Sequence, residues 1–255
     1  MGNWTRCFHP VPGAAVRLLC FPHAGGSAGA YHALSAAVAG AVEPWVVQYP
    51  GRHDRFGEPF AEQVDEIVDA VLAELPDGPS PALFGHSMGA LVAFETARRL
   101  QAQGRPPAAL FVSGREAPSR PWPRGGLVKP GSELSELGDA ELVAEMRALS
   151  GTAQELLDEP GILDLVLPPL RADYRALERY AYRPAPLLTC PLVALTGDHD
   201  PRVGLEGARA WQEEAGDSFA CHVLPGGHFY LDAQLPYIAQ VVTEVAGAAV
   251  TCSRM

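Results

Sequence analysis

Between residues 83 and 100 the chain reads LFGHSMGALVAFETARRL, and Gly85-His86-Ser87-Met88-Gly89 at its centre restricts the fold more than any other stretch. Pro81-Ala82-Leu83-Phe84 has the apolar run of a short buried strand, while Leu91, Phe94, Ala97 and Leu100 recur at helical spacing. A strand that becomes a helix within one residue forces that residue into an unfavourable backbone conformation. The residues two before and two after it then lie so close that side chains would collide. Gly-x-Ser-x-Gly supplies both glycines and leaves a serine hydroxyl at the tip of a sheet, beside a helix N-terminus. A glycine-rich turn in which Ser87 merely caps the helix has the same five residues. A nucleophilic role for Ser87 therefore needs partners elsewhere in the chain.

The flanking segments alternate. Residues 16–21 (VRLLCF), 45–49 (WVVQY), 108–113, 192–196 and 219–224 read as strands; 31–39, 60–75, 204–215 and 235–248 read as helices. This alternation predicts an α/β fold, a mostly parallel sheet with helices on both faces. Residues 121–183 break the pattern with Pro- and Gly-rich connectors and two or three helices. They predict a helical lid inserted between core segments 1–120 and 184–255, over the sheet edge where such folds bind ligands.

Composition narrows the partners. A net charge of −11 disfavours nucleic acid and anionic membranes. No apolar run reaches the ~18 residues of a membrane span, and the N-terminus lacks the charged-then-apolar plan of a secretion signal. MGNWTR fits the loose N-myristoylation pattern, which short sequences often match by chance. Five scattered cysteines without a CxxC pair predict reduced thiols, a cytoplasmic location and no structural zinc. The one lysine is Lys129, so any basic patch is built from arginine, suited to bidentate contacts with carboxylate or phosphate.

Two stretches offer partners for Ser87 in the chain order Ser, acid, His. In LPGGHFY, His228 follows a strand on a turn whose glycines allow close approach; His222 lies inside the strand and is expected to be a sheet residue. In LTGDHDP, Asp200 sits past the strand end where a loop can turn it toward His228, and Asp198 is better placed to hold the loop locally. A metal site built from Asp198, His199, Asp200 and His228 is disfavoured, because adjacent residues rarely aim at one ion. His228 would then take the Ser87 proton, with Asp200 orienting it, and an acyl-enzyme would form and be hydrolysed. The oxyanion calls for two donors: the Met88 N–H, and the Ala24 N–H of the glycine-flanked loop His23-Ala24-Gly25-Gly26.

Several stretches together, FPHAGGSA (21–28), YPGRHDRFGEP (49–59), FGHSMGA (84–90), LPPLRADYRALERY (167–180), CPLVALTGDHDP (190–201) and LPGGHFYL (224–231), resemble the type II thioesterases. These are editing hydrolases of polyketide and nonribosomal peptide assembly lines, with the α/β-hydrolase fold. The resemblance runs along nearly the whole chain. It places nucleophile, acid and base on Ser87, Asp200 and His228, and the oxyanion amides on Ala24 and Met88. It implies hydrolysis of acyl groups from the phosphopantetheine thiol of acyl or peptidyl carrier proteins, transient partners of a monomer that needs no cofactor of its own. The residues alone stop at a serine hydrolase with a helical lid. A carboxylesterase or lipase, a chain-releasing thioesterase (expected fused to a carrier, where this chain is expected alone) and an inactive binding protein on the same scaffold stay open.

Two features of the lid carry further expectations. Leu163, Val166, Leu167, Leu170, Tyr174, Leu177 and Ala181 form an apolar stripe at helical spacing, with Leu170, Tyr174 and Leu177 as candidates to line an acyl pocket. Arg171, Arg175, Arg179 and Arg183 recur every four residues, and residues 115–131 hold Arg115, Arg120, Arg124 and Lys129 against Glu116 alone. Either cluster is expected to dock an acidic carrier, with Arg120, Arg124, Arg175 and Arg179 foremost, unless acids such as Asp173 and Glu178 neutralise it. Arg52 and Arg55 are expected to hold their own loop by pairing with nearby acids.

Overall fold

The computed structural model describes residues 3–76, 78–120, 133–149, 158–159 and 161–252. Seven strands form one sheet: β1 (Thr5–Arg6), β2 (Arg17–Phe21), β3 (Glu43–Val47), β4 (Ala82–His86), β5 (Leu110–Ser113), β6 (Leu192–Gly197) and β7 (Phe219–Leu224). Their spatial order is β1-β3-β2-β4-β5-β6-β7, and every pairing is parallel except that of β1 with β3. The helices are α1 (His32–Val38), α2 (Val64–Glu74), α3 (Met88–Ala102), α4 (Asp139–Ala148), α5 (Ile162–Glu178), α6 (Leu205–Arg209) and α7 (Leu235–Cys252).

The strands read as unbroken apolar runs because both faces of the sheet are covered. Along β2, Leu19 and Phe21 join a core shared with α2 and α3, while Leu18 and Cys20 face a second core shared with α1 and α7. The same division holds for Leu110 and Val112 against Phe111 in β5. The second helix starts at Val64 rather than residue 60; Phe60 is used to cover Gly51, where a β-carbon would lie 2.2 Å from its ring. Similarly, Gln48 leaves its strand early; its side chain accepts from Ala28 N–H and donates to the carbonyls of Tyr49 and Arg52. The two-residue edge strand β1 was not anticipated.

From β2 the chain crosses to one side of the sheet to form β3, then returns to build β4 to β7 on the other. Crevices outside the carboxyl ends of strands at such a reversal are the usual ligand sites of open α/β sheets. The loop 22–27 and Ser87 both emerge there. Between β5 and β6 the described residues hold a short 3-10 turn (Leu134–Glu136), α4 and α5. Helix α5 runs through Pro168 and Pro169, which lack the N–H groups that would bond the carbonyls of Asp164 and Leu165. Both those residues are exposed, so water can take over. No helix among the described residues is long and apolar enough to cross a membrane.

Glycine contacts give a direct test of this packing. A β-carbon on Gly89 would lie 1.9 Å from the Phe21 carbonyl oxygen, whereas one on Gly247, inside α7, meets nothing within 4 Å. Gly89→Ala is expected to cost more than ~4 kcal/mol or to abolish folding, and Gly247→Ala to stabilise by ~0.5–1 kcal/mol. Urea denaturation of the two variants checks this; a tolerated Gly89→Ala contradicts it.

Candidate active site

Strand β4 ends at His86 and α3 begins at Met88, so one residue makes the turn. Ser87 makes it with φ 55° and ψ −115°. Only His53 shares a positive φ among the described non-glycine residues, and such strain costs on the order of 1–3 kcal/mol. The turn is held by Ser87 N–H donating to the Ser113 carbonyl at 2.8 Å. Its tightness explains the flanking glycines, since a β-carbon on Gly85 would lie 2.0 Å from the Gly89 oxygen. The Met88 amide opens α3, where first-turn N–H groups have no helical acceptor and the helix dipole is positive.

The two carboxylates after β6 have separate tasks. Asp198 accepts from Gly226 N–H at 2.9 Å and meets His199 Nδ1 at 2.6 Å, and the Gly226 bond leads in holding its carboxyl below the ordinary range. It fastens the β6 loop to the β7 loop, whose backbones pass so closely that a β-carbon on Gly197 would meet the oxygens of Gly226 and Gly227 at 2.4 Å. The Asp200 side chain is fully buried, 2.9 Å and 3.1 Å from His228 Nδ1, and also accepts from Arg202 N–H at 2.8 Å. With Nδ1–H donating to the carboxylate, His228 Nε2 is left as the acceptor. Ser87 and His228 line one small pocket of about 40 Å³ together with Ala24. His222 sits apart, its Nδ1 2.9 Å from the Tyr237 hydroxyl. Among the described residues no three His, Cys, Asp or Glu side chains are placed to hold a metal ion.

Several buried polar groups around this pocket carry no assigned role in the sequence analysis, and Arg115, expected in a docking cluster, is buried. His86 Nδ1 lies 2.9 Å from Ser113 Oγ, which is 2.6 Å from the Tyr230 hydroxyl. Burial, with the nearby His228 next, lowers His23 from its ordinary 6.5 to about 4 and His86 well below 6.5, so both rings are neutral at pH 7. Arg115 and Arg202 also line the pocket; burial brings them down to about 9 and about 10, and they stay cationic. Arg202 pairs with the buried Glu145 of α4. The only sequence signal for His86 was its place inside the Gly-x-Ser-x-Gly turn.

Beside the small pocket lies a larger apolar chamber of about 570 Å³. His23, Ala24, Leu149, Tyr174 and Phe229 line both. Of the stripe residues on α5, Leu167, Leu170, Tyr174 and Leu177 are all buried in the main core, while Val166, Leu170 and Tyr174 line the chamber, which Leu167 and Leu177 do not. Arg120, Arg171, Arg175 and Arg179 are neutralised by acids, though not by the expected Asp173 and Glu178. Arg175 and Arg179 share Glu62 at 2.6 Å and 2.9 Å, Arg171 pairs with Asp139, and Arg120 with Glu213 at 2.5 Å. Glu178 instead accepts from Ser135, and Asp173 pairs with Arg52, 121 residues away, at 2.5 Å. Arg55 does pair locally, with Glu58. Arg124 and Lys129 lie outside the described residues.

The depressed His23 gives a pH prediction. Between about pH 6.5 and 4 the folded ring holds no proton and the unfolded chain does, so folding stability falls as pH drops through that window. His23→Gln is expected to lose less stability between pH 7 and pH 5 than the parent protein in urea titrations. An equal or larger loss contradicts the neutral, buried ring.

The family profile described as "Thioesterase domain" matches residues 16–245. Thioesterase PikA5 of Streptomyces venezuelae is 44% identical over 247 residues, covering 95% of this chain and 85% of that protein. Among solved structures, the type II thioesterase BorB from the borrelidin biosynthetic cluster superposes with a TM-score of 0.84 at 45% identity, covering 95% of this chain and 97% of BorB. RedJ, a thioesterase of the prodiginine pathway of Streptomyces coelicolor, gives 0.81 at 34% identity, covering 94% and 89%. Sequence and fold agree along nearly the full length, and the chain belongs to the thioesterase family, as a thioester hydrolase of α/β-hydrolase fold.

Proposed function

We propose that this thioesterase removes acyl groups from the phosphopantetheine thiol of acyl or peptidyl carrier proteins, with Ser87 as nucleophile, His228 as base and Asp200 as its orienting acid. The observation that carries the site assignment is the buried His228 Nδ1–Asp200 pair opening on the pocket that holds Ser87. His228 Nε2 takes the Ser87 proton as Oγ attacks the thioester carbonyl, and Asp200 stabilises the imidazolium that forms. The N–H groups of Met88 and Ala24 receive the oxyanion. Collapse breaks the C–S bond, the departing pantetheine thiolate takes the proton from His228 and leaves as the thiol, and an acyl-Ser87 ester remains. Water activated by the same imidazole then releases the acid. Between the two steps the acyl group is carried by Ser87 and not by a cofactor of the enzyme's own.

The 570 Å³ chamber takes the acyl chain, with Leu170 and Tyr174 on its wall; Leu177 serves the core instead. In this reading residues 121–183 are a lid, of which α4 and α5 are the described helices. An editing role is supported by the relatives: BorB is a type II thioesterase of a biosynthetic cluster, as is YbtT of the yersiniabactin pathway. In this reading the carrier is a transient partner of a monomeric cytoplasmic enzyme, a location that suits five scattered cysteines without a CxxC pair. For docking, Arg120, Arg175 and Arg179 are held by ion pairs at or near the surface. Exposed pairs of this kind are worth about 0–1 kcal/mol, so an acidic carrier can compete for the guanidinium groups.

One kinetic panel tests the assignment, run on acyl-carrier protein, a matched N-acetylcysteamine thioester and the corresponding oxygen ester. Ser87→Ala and His228→Ala are expected to lower turnover of both thioesters by ~10⁴–10⁶. Asp200→Asn should cost far more than Asp198→Asn. The double change Arg120→Glu/Arg179→Glu should raise KM for the carrier alone. Ser87→Ala activity above a tenth of the parent rate refutes the nucleophile, and faster turnover of the oxygen ester refutes the substrate class.

A further inference from the structure

Asp173 lies in the middle of α5 and is 1% exposed. Its carboxylate takes donors from two distant parts of the chain. Arg52 Nη1 and Nη2 donate at 2.5 Å and 2.7 Å, and the backbone N–H of Gly25 donates to Oδ2 at 2.7 Å. A bidentate guanidinium already balances the charge, so the amide is an addition that neutralisation does not require. Gly25 directly follows Ala24. The same Arg52 also donates from Nη1 to the Gly26 carbonyl at 3.3 Å, so residues 25 and 26 are gripped at an N–H and at a C=O. The helix presses on this turn directly: Gly25 has φ +75°, and a β-carbon there would stand 3.4 Å from Leu170 Cδ1. The loop's own bond, Gly26 N–H to the His23 carbonyl at 2.9 Å, closes the turn but does not tie it to the body.

We propose that Asp173 is a positioning residue for the hydrolysis. Through Gly25 N–H it fixes the peptide plane that follows Ala24, so the Ala24 amide is aimed at the oxyanion only while α5 is seated on the body. The assembled oxyanion hole and the seated helix are then one state. The inference rests on the role given to Ala24 above. Outright loss of an oxyanion donor typically costs ~10²–10³ in turnover; a donor left in place but no longer held costs less, ~10–100-fold. A plain structural anchor, the alternative, has no need of the Gly25 bond.

Two double variants separate these accounts, because apolar replacement of both members of a buried ion pair is often tolerated. Arg52→Met/Asp173→Asn removes the ion pair but keeps an oxygen that can accept from Gly25 N–H. Arg52→Met/Asp173→Leu removes the pair and the acceptor at similar volume. With the N-acetylcysteamine thioester, the second is expected to show kcat ~10–100-fold below the first, with KM within about threefold. Equal kcat values, or a difference confined to KM, overturn the proposal. Should either variant fail to fold, amide hydrogen exchange of Gly25 in the unmutated protein decides the matter, measured free and after phosphonylation of Ser87, whose adduct mimics the tetrahedral oxyanion. Gly25 exchange that is slow in both states, or slower in the adduct, supports the proposal, and fast exchange in the adduct overturns it. Failure here is distinct from failure of the parent reading: an active Ser87→Ala protein refutes the nucleophile whatever these variants do.

Discussion

A β-carbon on Gly89 would stand 1.9 Å from the carbonyl oxygen of Phe21, and the whole site is arranged around that approach. The first turn of α3 can lie against the end of β2 only because position 89 has no side chain. Ser87 is thereby forced into its strained conformation at the end of β4, and the loop leaving β2 is brought alongside the N-terminus of α3. The loop residue Ala24 and Ser87 thus line one pocket together. The strain at Ser87 is modest beside the core that enforces it: Phe21, Leu83, Met88 and Leu91 are all fully buried in one cluster.

Burial then sets the charge pattern. Each buried carboxylate near the pocket has a specific cation or imidazole facing it: Asp200 has His228, Asp173 has Arg52 and Glu145 has Arg202. A buried charge without such a partner costs several kcal/mol, whereas a well-matched pair can roughly break even. These pairs contribute little net stability and instead specify geometry. His23 and His86 are handled in the opposite way, kept neutral by desolvation. Of the three imidazoles clustered around Phe229, His228 alone is matched to a buried carboxylate. Two of the ion pairs also join α4 and α5 to the loops at the sheet edge, so the helices that wall the chamber are coupled to the loops that carry the chemistry.

What was legible in the sequence follows the range of the forces involved. The strand 219–224 and the turn at Ser87 were visible because local patterning and steric exclusion act over a few residues. The sequence expects Asp198 to hold its own loop by local bonds; it does meet His199, but its bond to Gly226 N–H crosses 28 residues to the β7 loop, a contact that exists only in the folded chain. Asp173 was misjudged as a neighbour for the arginines of its own helix, since its pairing with Arg52 spans 121 residues and exists only in the folded chain. Helix periodicity marked Leu177 and Leu170 alike as apolar stripe. Both are buried in the main core, and only Leu170 also lines the chamber, a difference that periodicity along one helix does not carry. The start of α2 was placed four residues early because Phe60 fits the helical pattern but is used to cover Gly51.

The central claim is that the acyl group passes through a covalent ester on Ser87. The most direct measurement mixes the protein with an acyl-pantetheine thioester, quenches in acid within the first turnover, and maps the acyl mass by peptide analysis. The account predicts the added mass on the peptide containing Ser87 and on no other. Complete hydrolysis with no acyl-peptide at any quench time, or the acyl group on one of the cysteines, would contradict it.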